Sequence, residues 1–181
     1  MNDKHPIEDD ILVLRCREGD AAALETLLTR WQERLWRHAL RVTGDSEAAW
    51  DILQEALLVI ARKIHKLEAA SAFAVWAYRV TRNKANDWLR RNRRRLRRDT
   101  HYAASRSLVD QGEDDSLERG DGLQRAIARL PHSERALLAM RYEDDFGTDE
   151  IADMLGIPVG TVKSRLHYIK QRLRTLMGEQ P

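Results

Sequence analysis

The side chains best suited to chemistry lie near the C-terminus, on a segment with the apolar spacing of a helix. Val162, Leu166 and Ile169 recur on one face of that segment. The other positions carry hydrogen-bonding or cationic groups and no carboxylate: Thr161, Lys163, Ser164, Arg165, His167, Tyr168, Lys170, Gln171, Arg172 and Arg174. Such a face fits a polyanionic groove, where cations contact phosphates and polar groups contact base edges. An ordinary helical hairpin with a solvated basic face is the alternative.

A second polar surface accompanies a long apolar stripe in the middle of the chain. It mixes aromatic, amide and guanidinium groups: Trp76, Tyr78, Arg79, Arg82, Asn83, Asn86, Asp87, Arg90 and Arg91. Mixtures of this kind hold single-stranded nucleic acid, because cations follow the phosphates while amides read unstacked bases. Trp76 and Trp88 continue the apolar stripe, so we expect them in the core. Asn83 is the stronger candidate for a base contact.

A third cluster consists of Asp51, Gln54 and Glu55, which fall at i, i+3 and i+4 and therefore on one side of a helix. These acceptor groups could dock onto a basic surface of a partner. Their spacing alone favours a solvated face instead. Paired carboxylates for acid–base catalysis are a third reading, but no nucleophile or ligand set accompanies them.

The remaining reactive side chains do not form an enzyme site. The 6 histidines lack metal-ligand spacing, and the single cysteine, Cys16, excludes an internal disulfide or a CxxC pair. No glycine-rich phosphate loop or nucleophile elbow occurs. We therefore predict no catalytic residues, no bound metal and no cofactor. We expect Cys16 to be a small apolar filler of the first helix, with a redox sensor as the alternative.

The net charge of +2 conceals segregated blocks of charge. Residues 84–98 are strongly basic, whereas residues 110–121 are strongly acidic. No apolar run approaches the roughly 20 residues that span a bilayer, and the polar N-terminus lacks the pattern of a signal peptide. These features predict a cytoplasmic protein without direct membrane insertion.

Helical periodicity recurs along most of the chain and strand-like alternation is absent, which predicts an all-α fold. In the first half, Asp20, Asp45 and Ser71 are placed to cap helix starts, and Gly44 is placed to end a helix. The long helix after Ser71 ends in the arginine run. We predict a helical bundle for this half.

The second half is expected to form a separate small domain. Thr148 can cap a short helix, Gly156 can supply the turn, and Pro158 can start the next helix, as in a helix-turn-helix. The predicted layout is an N-terminal domain at residues 1–98, a flexible acidic linker at 99–122 and a C-terminal helix-turn-helix domain at 123–181.

Three segments of the sequence carry a family resemblance. They read DSEAAWDILQEALL, FAVWAYRVTRNKANDWLRRNRRR and IARLPHSERALLAMRYEDDFGTDEIADMLGIPVGTVKSRL. In this order they resemble the extracytoplasmic-function (ECF) sigma factors of bacterial RNA polymerase, from about Asp10 to Leu176. The resemblance implies a non-catalytic specificity subunit that binds core RNA polymerase and promoter DNA, and it suggests an anti-sigma factor as a further partner.

The resemblance also implies roles for individual residues. Asp51, Gln54 and Glu55 match the family's polymerase-binding D-x-x-Q-E, which favours docking over the solvated face. Asn83 and Asp87 match positions that read the melted minus-ten strand, beside a base-capturing loop at residues 66–72. Lys163, Ser164, His167 and Tyr168 match recognition-helix positions facing the minus-thirty-five element. The full predicted DNA-binding set is Asn83, Asp87, Arg90, Arg91, Thr161, Lys163, Ser164, Arg165, His167 and Tyr168.

One departure limits what the resemblance carries over. Tyr168 stands where many members have arginine, so the minus-thirty-five sequence does not transfer to this chain. A transcriptional regulator of another class could use the same helix-turn-helix, but it would not need the D-x-x-Q-E face or the arginine-rich helix. An RNA-binding or structural helical protein is a weaker rival.

Overall fold

The computed structural model describes residues 7–100 and 122–178 of the chain, and within these ranges the regular structure is entirely helical. The helices are α1 (Ile7–Arg17), α2 (Ala21–Thr43), α3 (Ser46–Lys63), α4 (Phe73–Thr100), α5 (Gly122–Ala128), α6 (His132–Tyr142), α7 (Thr148–Leu155) and α8 (Val159–Leu176). Two short 3₁₀ turns, Ile64–Lys66 and Ala70–Ala72, connect α3 to α4. The predicted all-α fold is confirmed. The predicted acidic linker falls mostly outside the described residues.

Helix ends follow local chemistry at several of the predicted positions. Asp20 and Asp45 accept backbone N–H groups of the first turns of α2 and α3, each at 3.0 Å, so both predicted caps are confirmed. Gly44 and Gly156 adopt left-handed backbone angles, with φ of 70° and 63°, where a Cβ would be strained. Asp45 thus begins α3, which carries one candidate site, and Gly156 ends the helix that precedes α8.

Two predicted caps are wrong. Ser71 lies within the second 3₁₀ turn, and α4 begins two residues later. Thr148 is the first residue of α7, and the capping position is Gly147, whose N–H donates to Oε2 of Glu150 at 2.7 Å. The Glu150 carboxylate thus satisfies the backbone donor at the start of α7.

The N-terminal half packs around Trp31, which is 2% exposed. Its ring meets Phe73 edge-on at a centroid distance of 5.2 Å and Tyr78 at 6.4 Å. Leu27 and Leu53 complete the same core. These contacts join α2 and α3 to the start of α4, and edge-to-face rings add a directional preference to the burial of apolar area.

We predict that Asp9→Ala lowers the free energy of unfolding by about 1–3 kcal/mol, because it removes a buried acceptor from two donors. Asp9 is 4% exposed, and its carboxylate accepts the Trp31 indole N–H at 2.9 Å and the Arg30 guanidinium at 2.8 Å. Urea denaturation measures the change. Glu8→Ala is the control, since that exposed carboxylate also pairs with Arg30 and is expected to cost less than about 0.5 kcal/mol. Equal losses in the two variants would contradict the prediction.

The two halves of the chain share one apolar core. Helix α6 packs against α2, and α7 packs against α4. Phe146, in the loop between α6 and α7, is 1% exposed and meets Tyr78 of α4 at a centroid distance of 4.9 Å. Arg41 of α2 forms an ion pair with Glu143 at the end of α6. The sequence did not predict this association, because it comes from residues distant in the chain.

Candidate nucleic-acid interface

The predicted recognition helix is α8, and its position follows from the apolar residues beneath it. Val162, Leu166 and Ile169 are 0%, 7% and 2% exposed. With those residues facing inward, most of the predicted DNA-binding side chains on α8 are exposed: Lys163, Ser164, Arg165, His167 and Tyr168. Thr161 is half-buried. The first turns of α8 therefore present a continuous polar and cationic face.

The exposed face of α8 can make both kinds of contact that duplex DNA offers. Lys163 and His167 lie one turn apart, as do Ser164 and Tyr168, so each pair shares a side of the helix. The Ser164 hydroxyl donates to the Thr161 carbonyl at 3.0 Å and keeps its lone pairs available as acceptors. Farther along α8, Arg172 pairs with Glu134 at 3.5 Å, which holds that cation against α6. The N-terminal part of α8 is thus the part suited to base contact.

The second predicted surface lies on α4. Asn83 and Asp87 are exposed and one turn apart, with Arg90 and Arg91 exposed on the following turn. Asp87 lies 3.6 Å from Arg90, so this carboxylate also orients a cation. Tyr78 does not belong to this surface. It is 1% exposed, and burial, followed by the nearby charge of Asp144, raises its pKa well above the ordinary value.

The cations next to Asn83 are occupied by the C-terminal half. Arg79 donates to the Asp153 carbonyl at 2.9 and 3.2 Å, and Arg82 donates to the Met154 carbonyl at 3.3 Å. Both carbonyls lie at the C-terminal end of α7. Burial, and secondarily the charge of Arg165, lowers the pKa of Arg82. The sequence had placed these two arginines on an open surface.

The predicted base-capturing loop is formed by the two 3₁₀ turns before α4. The guanidinium of Arg17 donates to the Glu68 carbonyl at 3.2 Å, which ties the loop to the end of α1. Lys66 and Ser71 are exposed, whereas Phe73, directly after the loop, is buried. The loop is therefore anchored on both sides and open to solvent between the anchors.

The third predicted site lies on the outer side of α3. Asp51 and Gln54 are exposed, and Glu55 is half-buried. Lys84 of α4 donates to Oε2 of Glu55 at 2.9 Å, so the neighbouring helix positions this carboxylate.

Two exposed apolar side chains, Trp50 and Leu58, flank the acidic cluster and are 51% and 56% exposed. Sequence reasoning missed both, although each lies within four residues of Gln54 on the same helix. Exposed aromatic side chains are enriched in the cores of protein-binding surfaces, and polar groups surround such cores.

The described residues contain no group of three or more His, Cys, Asp or Glu side chains arranged to hold a metal ion. Cys16 is buried, as expected for a filler, and burial raises the pKa of its thiol. Among the helices in the described ranges, none combines the length and the apolar character that a bilayer crossing requires.

Comparison with known proteins follows the two halves of the chain. Residues 27–95 match the family model of sigma-70 region 2, and residues 121–173 match that of sigma-70 region 4. The ECF RNA polymerase sigma factor SigL of Mycobacterium tuberculosis is 33% identical over 167 residues, which cover 89% of this chain and 92% of SigL. The ECF sigma factor SigW of Bacillus subtilis is 29% identical over 173 residues, covering 90% and 92% of the two chains.

Solved structures show the same fold. CnrH, determined in complex with the cytosolic domain of CnrY, superposes with a TM-score of 0.66 at 20% identity, over 96% of this chain and 99% of CnrH. The sigma factor RpoE from Bartonella quintana, determined in complex with the anti-sigma factor NepR, also has a TM-score of 0.66, at 22% identity. That match covers 87% of this chain and 98% of RpoE.

Proposed function

The chain belongs to the ECF family of RNA polymerase sigma factors, and from this membership we propose that it binds core RNA polymerase, recognises promoter DNA and promotes strand opening. The observation that carries the proposal is the presence of both sigma regions in one chain, each with most of its candidate residues exposed. Run-off transcription with sigma-free polymerase on templates from the native genome tests it. Failure to initiate at any template, with no inhibitor present, would refute it.

We assign the three activities to three surfaces. Within residues 1–98, the α3 face of Asp51, Gln54 and Glu55 binds polymerase. On α4, Asn83 and Asp87, with Arg90 and Arg91, bind the opened minus-ten strand. Within residues 123–181, the α8 face binds the minus-thirty-five duplex. Residues 99–122 connect the two parts, and no step of this scheme requires catalysis or a cofactor from the chain.

For the polymerase-binding face, we predict that Asp51→Ala with Glu55→Ala weakens holoenzyme formation by roughly tenfold or more. Both carboxylates contribute to one acidic face, so a basic partner surface loses both charges at once. Titration of core polymerase in a gel-shift assay measures the affinity.

Glu25→Ala with Glu33→Ala is the control for the polymerase-binding face, because it removes the same charge from exposed positions on α2. Circular dichroism checks that both double variants remain folded. Unchanged holoenzyme formation in the α3 variant, or an equal loss in the α2 variant, would exclude the assignment.

For the duplex-binding face, we predict that Lys163→Ala weakens minus-thirty-five binding by about 1–3 kcal/mol and relaxes the choice of base. The Lys163 ammonium is exposed on the first turns of α8, where it can reach a base edge. Fluorescence anisotropy with a cognate duplex and single-base variants measures both effects at fixed salt.

Lys170→Ala is the matched control for Lys163, since it removes the same charge from the same helix. The Lys170 ammonium lies 5.5 Å from the centre of the Tyr142 ring, on the side of α6. We expect it to change affinity little and selectivity not at all. A uniform loss across all duplexes in the Lys163 variant would show that this side chain contacts phosphate instead of a base.

Control by an anti-sigma factor, and action in the cytoplasm, complete the proposal. RpoE from Bartonella quintana, which has the same fold, was determined bound to an anti-sigma factor. The exposed acidic face of α3 and cationic face of α8 offer such a regulator surfaces that polymerase and DNA would otherwise cover. Co-purification from the native host tests this part, and a factor that is always free and active would contradict it.

A further inference from the structure

A cavity of about 880 Å³ lies where the end of α2 meets α5, α6 and α8. The residues assigned above to polymerase and DNA all fall within the described ranges, and none of them lines this cavity. Pockets for small molecules have volumes of about 300–1,000 Å³, whereas protein interiors otherwise contain few voids larger than a water molecule. The cavity is therefore large enough to hold a small molecule.

The lining of the cavity is mainly aliphatic and comes from both halves of the chain. Its five aliphatic side chains are Leu40 of α2, Leu123 and Ile127 of α5, Leu138 of α6 and Leu173 of α8. Leu138 is 8% exposed and Leu123 is 46% exposed, so the cavity extends from the core to the solvent. Nucleotide bases bind by stacking on aromatic rings. A lining dominated by leucine and isoleucine favours an alkyl chain instead.

Three cations and one carboxylate also line the cavity: Arg41, Arg135, Lys170 and Glu143. Arg41 forms an ion pair with Glu143, so these two charges balance each other. Among the described residues, Arg135 and Lys170 have no carboxylate partner. The cavity thus combines an aliphatic wall with two cations that are not neutralised.

The contacts that Arg135 and Lys170 do make are with neutral rings. Nη2 of Arg135 donates to Nδ1 of His132 at 2.7 Å, and because a guanidinium only donates, this ring nitrogen is the acceptor. The Lys170 ammonium lies 5.5 Å from the centre of the Tyr142 ring. Both cations keep further N–H donors for an anion. The polar end of a ligand must therefore be an acceptor, and a negative charge suits it best.

We propose that this cavity binds a fatty acid, with the carboxylate on the guanidinium of Arg135 and the alkyl chain along the leucine and isoleucine side chains. Arg135 is half-buried, and its planar group matches the geometry of a carboxylate. Lys170 adds attraction from α8. The inference goes beyond the proposed function, because it requires neither polymerase nor DNA.

Isothermal titration with dodecanoate, below its micelle-forming concentration, tests the proposal on the full chain. We expect equimolar binding, and affinity should rise by about fourfold for each methylene added from octanoate to dodecanoate. Dodecyltrimethylammonium has the same alkyl chain with a positive head group, and it should bind roughly tenfold more weakly or worse. Bound dodecanoate should also raise the unfolding temperature, whereas a detergent that adsorbs to unfolded chains lowers it.

Arg135→Ala is expected to weaken dodecanoate binding by roughly tenfold or more, because the carboxylate loses its bidentate partner. Arg129→Ala is the matched control, since it removes the same charge from an exposed position directly after α5 that does not line the cavity. It should leave the affinity unchanged.

Ser46→Trp keeps the proposal testable if Arg135→Ala does not fold. Ser46 is exposed at the start of α3 and lines the cavity, so an indole at this position would occupy part of the space for the alkyl chain. Glu47→Trp adds the same indole at the next exposed position, outside the cavity. We expect the first variant to bind dodecanoate roughly tenfold more weakly and the second to match the wild type. Circular dichroism checks the fold of each.

Equal affinity for the anionic and the cationic amphiphile would show adsorption of a detergent and would overturn the proposal. So would the absence of binding at every chain length, or undiminished binding in both Arg135→Ala and Ser46→Trp. Run-off transcription without added fatty acid decides the sigma-factor function separately, so that either proposal can fail while the other stands.

Discussion

Replacement of Phe146 by alanine is expected to lower the free energy of unfolding by about 3–5 kcal/mol, because it opens a cavity where the two halves meet. The Phe146 ring is 1% exposed and lies edge-on to Tyr78 of α4 at 4.9 Å. The backbone carbonyl of Phe146 accepts a hydrogen bond from the Arg141 guanidinium at 3.2 Å, which holds the surrounding loop in place. We therefore expect the loop to fill the cavity of the alanine variant only in part. Urea denaturation followed by circular dichroism measures the loss.

The positions of the tryptophans allow unfolding of the N-terminal half to be followed separately. All 5 tryptophans lie between residues 31 and 88, so their fluorescence reports on the N-terminal half alone. Without Phe146, the C-terminal half loses its anchor on α4 and is expected to unfold first. The circular dichroism transition of the variant should therefore begin at lower urea than the fluorescence transition, which departs from two-state behaviour.

Phe73→Ala is the matched control for Phe146→Ala. The Phe73 ring is equally well buried, at 2% exposure, but it packs on Trp31 within the N-terminal half. We expect a loss of similar size with coincident transitions. A loss under about 1 kcal/mol for Phe146→Ala, or coincident transitions in that variant, would show that Phe146 does not couple the halves.

The helices were predictable from the sequence because their signals are local. The caps at Asp20 and Asp45 and the left-handed glycines at positions 44 and 156 depend on residues within one turn. Prediction was wrong at Ser71, where the chain forms a 3₁₀ turn before α4 begins. A short turn and a helix start share the same polar residues, so composition alone does not separate them.

The association of the halves could not be predicted in the same way. Arg79 and Arg82 bind backbone carbonyls, and a carbonyl carries no sequence signal. Tyr78 was placed on the polar face, whereas α4 buries a second face against the C-terminal half. A helical face that meets another unit through hydrogen bonds resembles a solvated face in its residue types. Only the folded chain distinguishes the two.

The candidate sites were predictable from the sequence only in part. The exposed residues of α8 were predictable, because the apolar stripe of Val162, Leu166 and Ile169 determines which positions face outward. For the α3 face, spacing alone favoured solvent, and the family resemblance favoured docking. Trp50 and Leu58 now add exposed apolar area to the acidic cluster, which supports the docking proposal.

Lowering the pH from 7 to 5 is expected to destabilise the folded chain by about 2 kcal/mol through His38. Burial, followed by the charges of Arg41 and Arg82, lowers the pKa of His38 to about 3, against an ordinary value of 6.5. Between these values the unfolded chain binds a proton that the folded chain does not bind. The contribution of His38 to the free energy of unfolding is therefore fully present above pH 6.5. It falls by about 1.4 kcal/mol per pH unit toward pH 3.

Other charged and titratable groups near His38 also affect how the free energy of unfolding depends on pH. The Tyr78 ring lies 4.9 Å from the imidazole, and Glu134 and Arg165 line the adjacent cleft with Arg82. Asp144 acts in the opposite direction, because burial raises the pKa of its carboxyl and the folded chain then gains stability as that group takes up a proton. In the pH range where Asp144 takes up its proton, the net loss of stability per pH unit is thus expected to be smaller than His38 alone would give.

Two substitutions separate His38 from the other titrating groups. His38→Leu removes the buried imidazole with little change in volume, so the loss of stability between pH 7 and pH 5 should shrink by most of the 2 kcal/mol. His65→Leu removes an exposed imidazole and leaves His38 in place, so the pH dependence should persist. Urea denaturation at each pH measures both. An undiminished dependence in His38→Leu would show that another group controls acid unfolding.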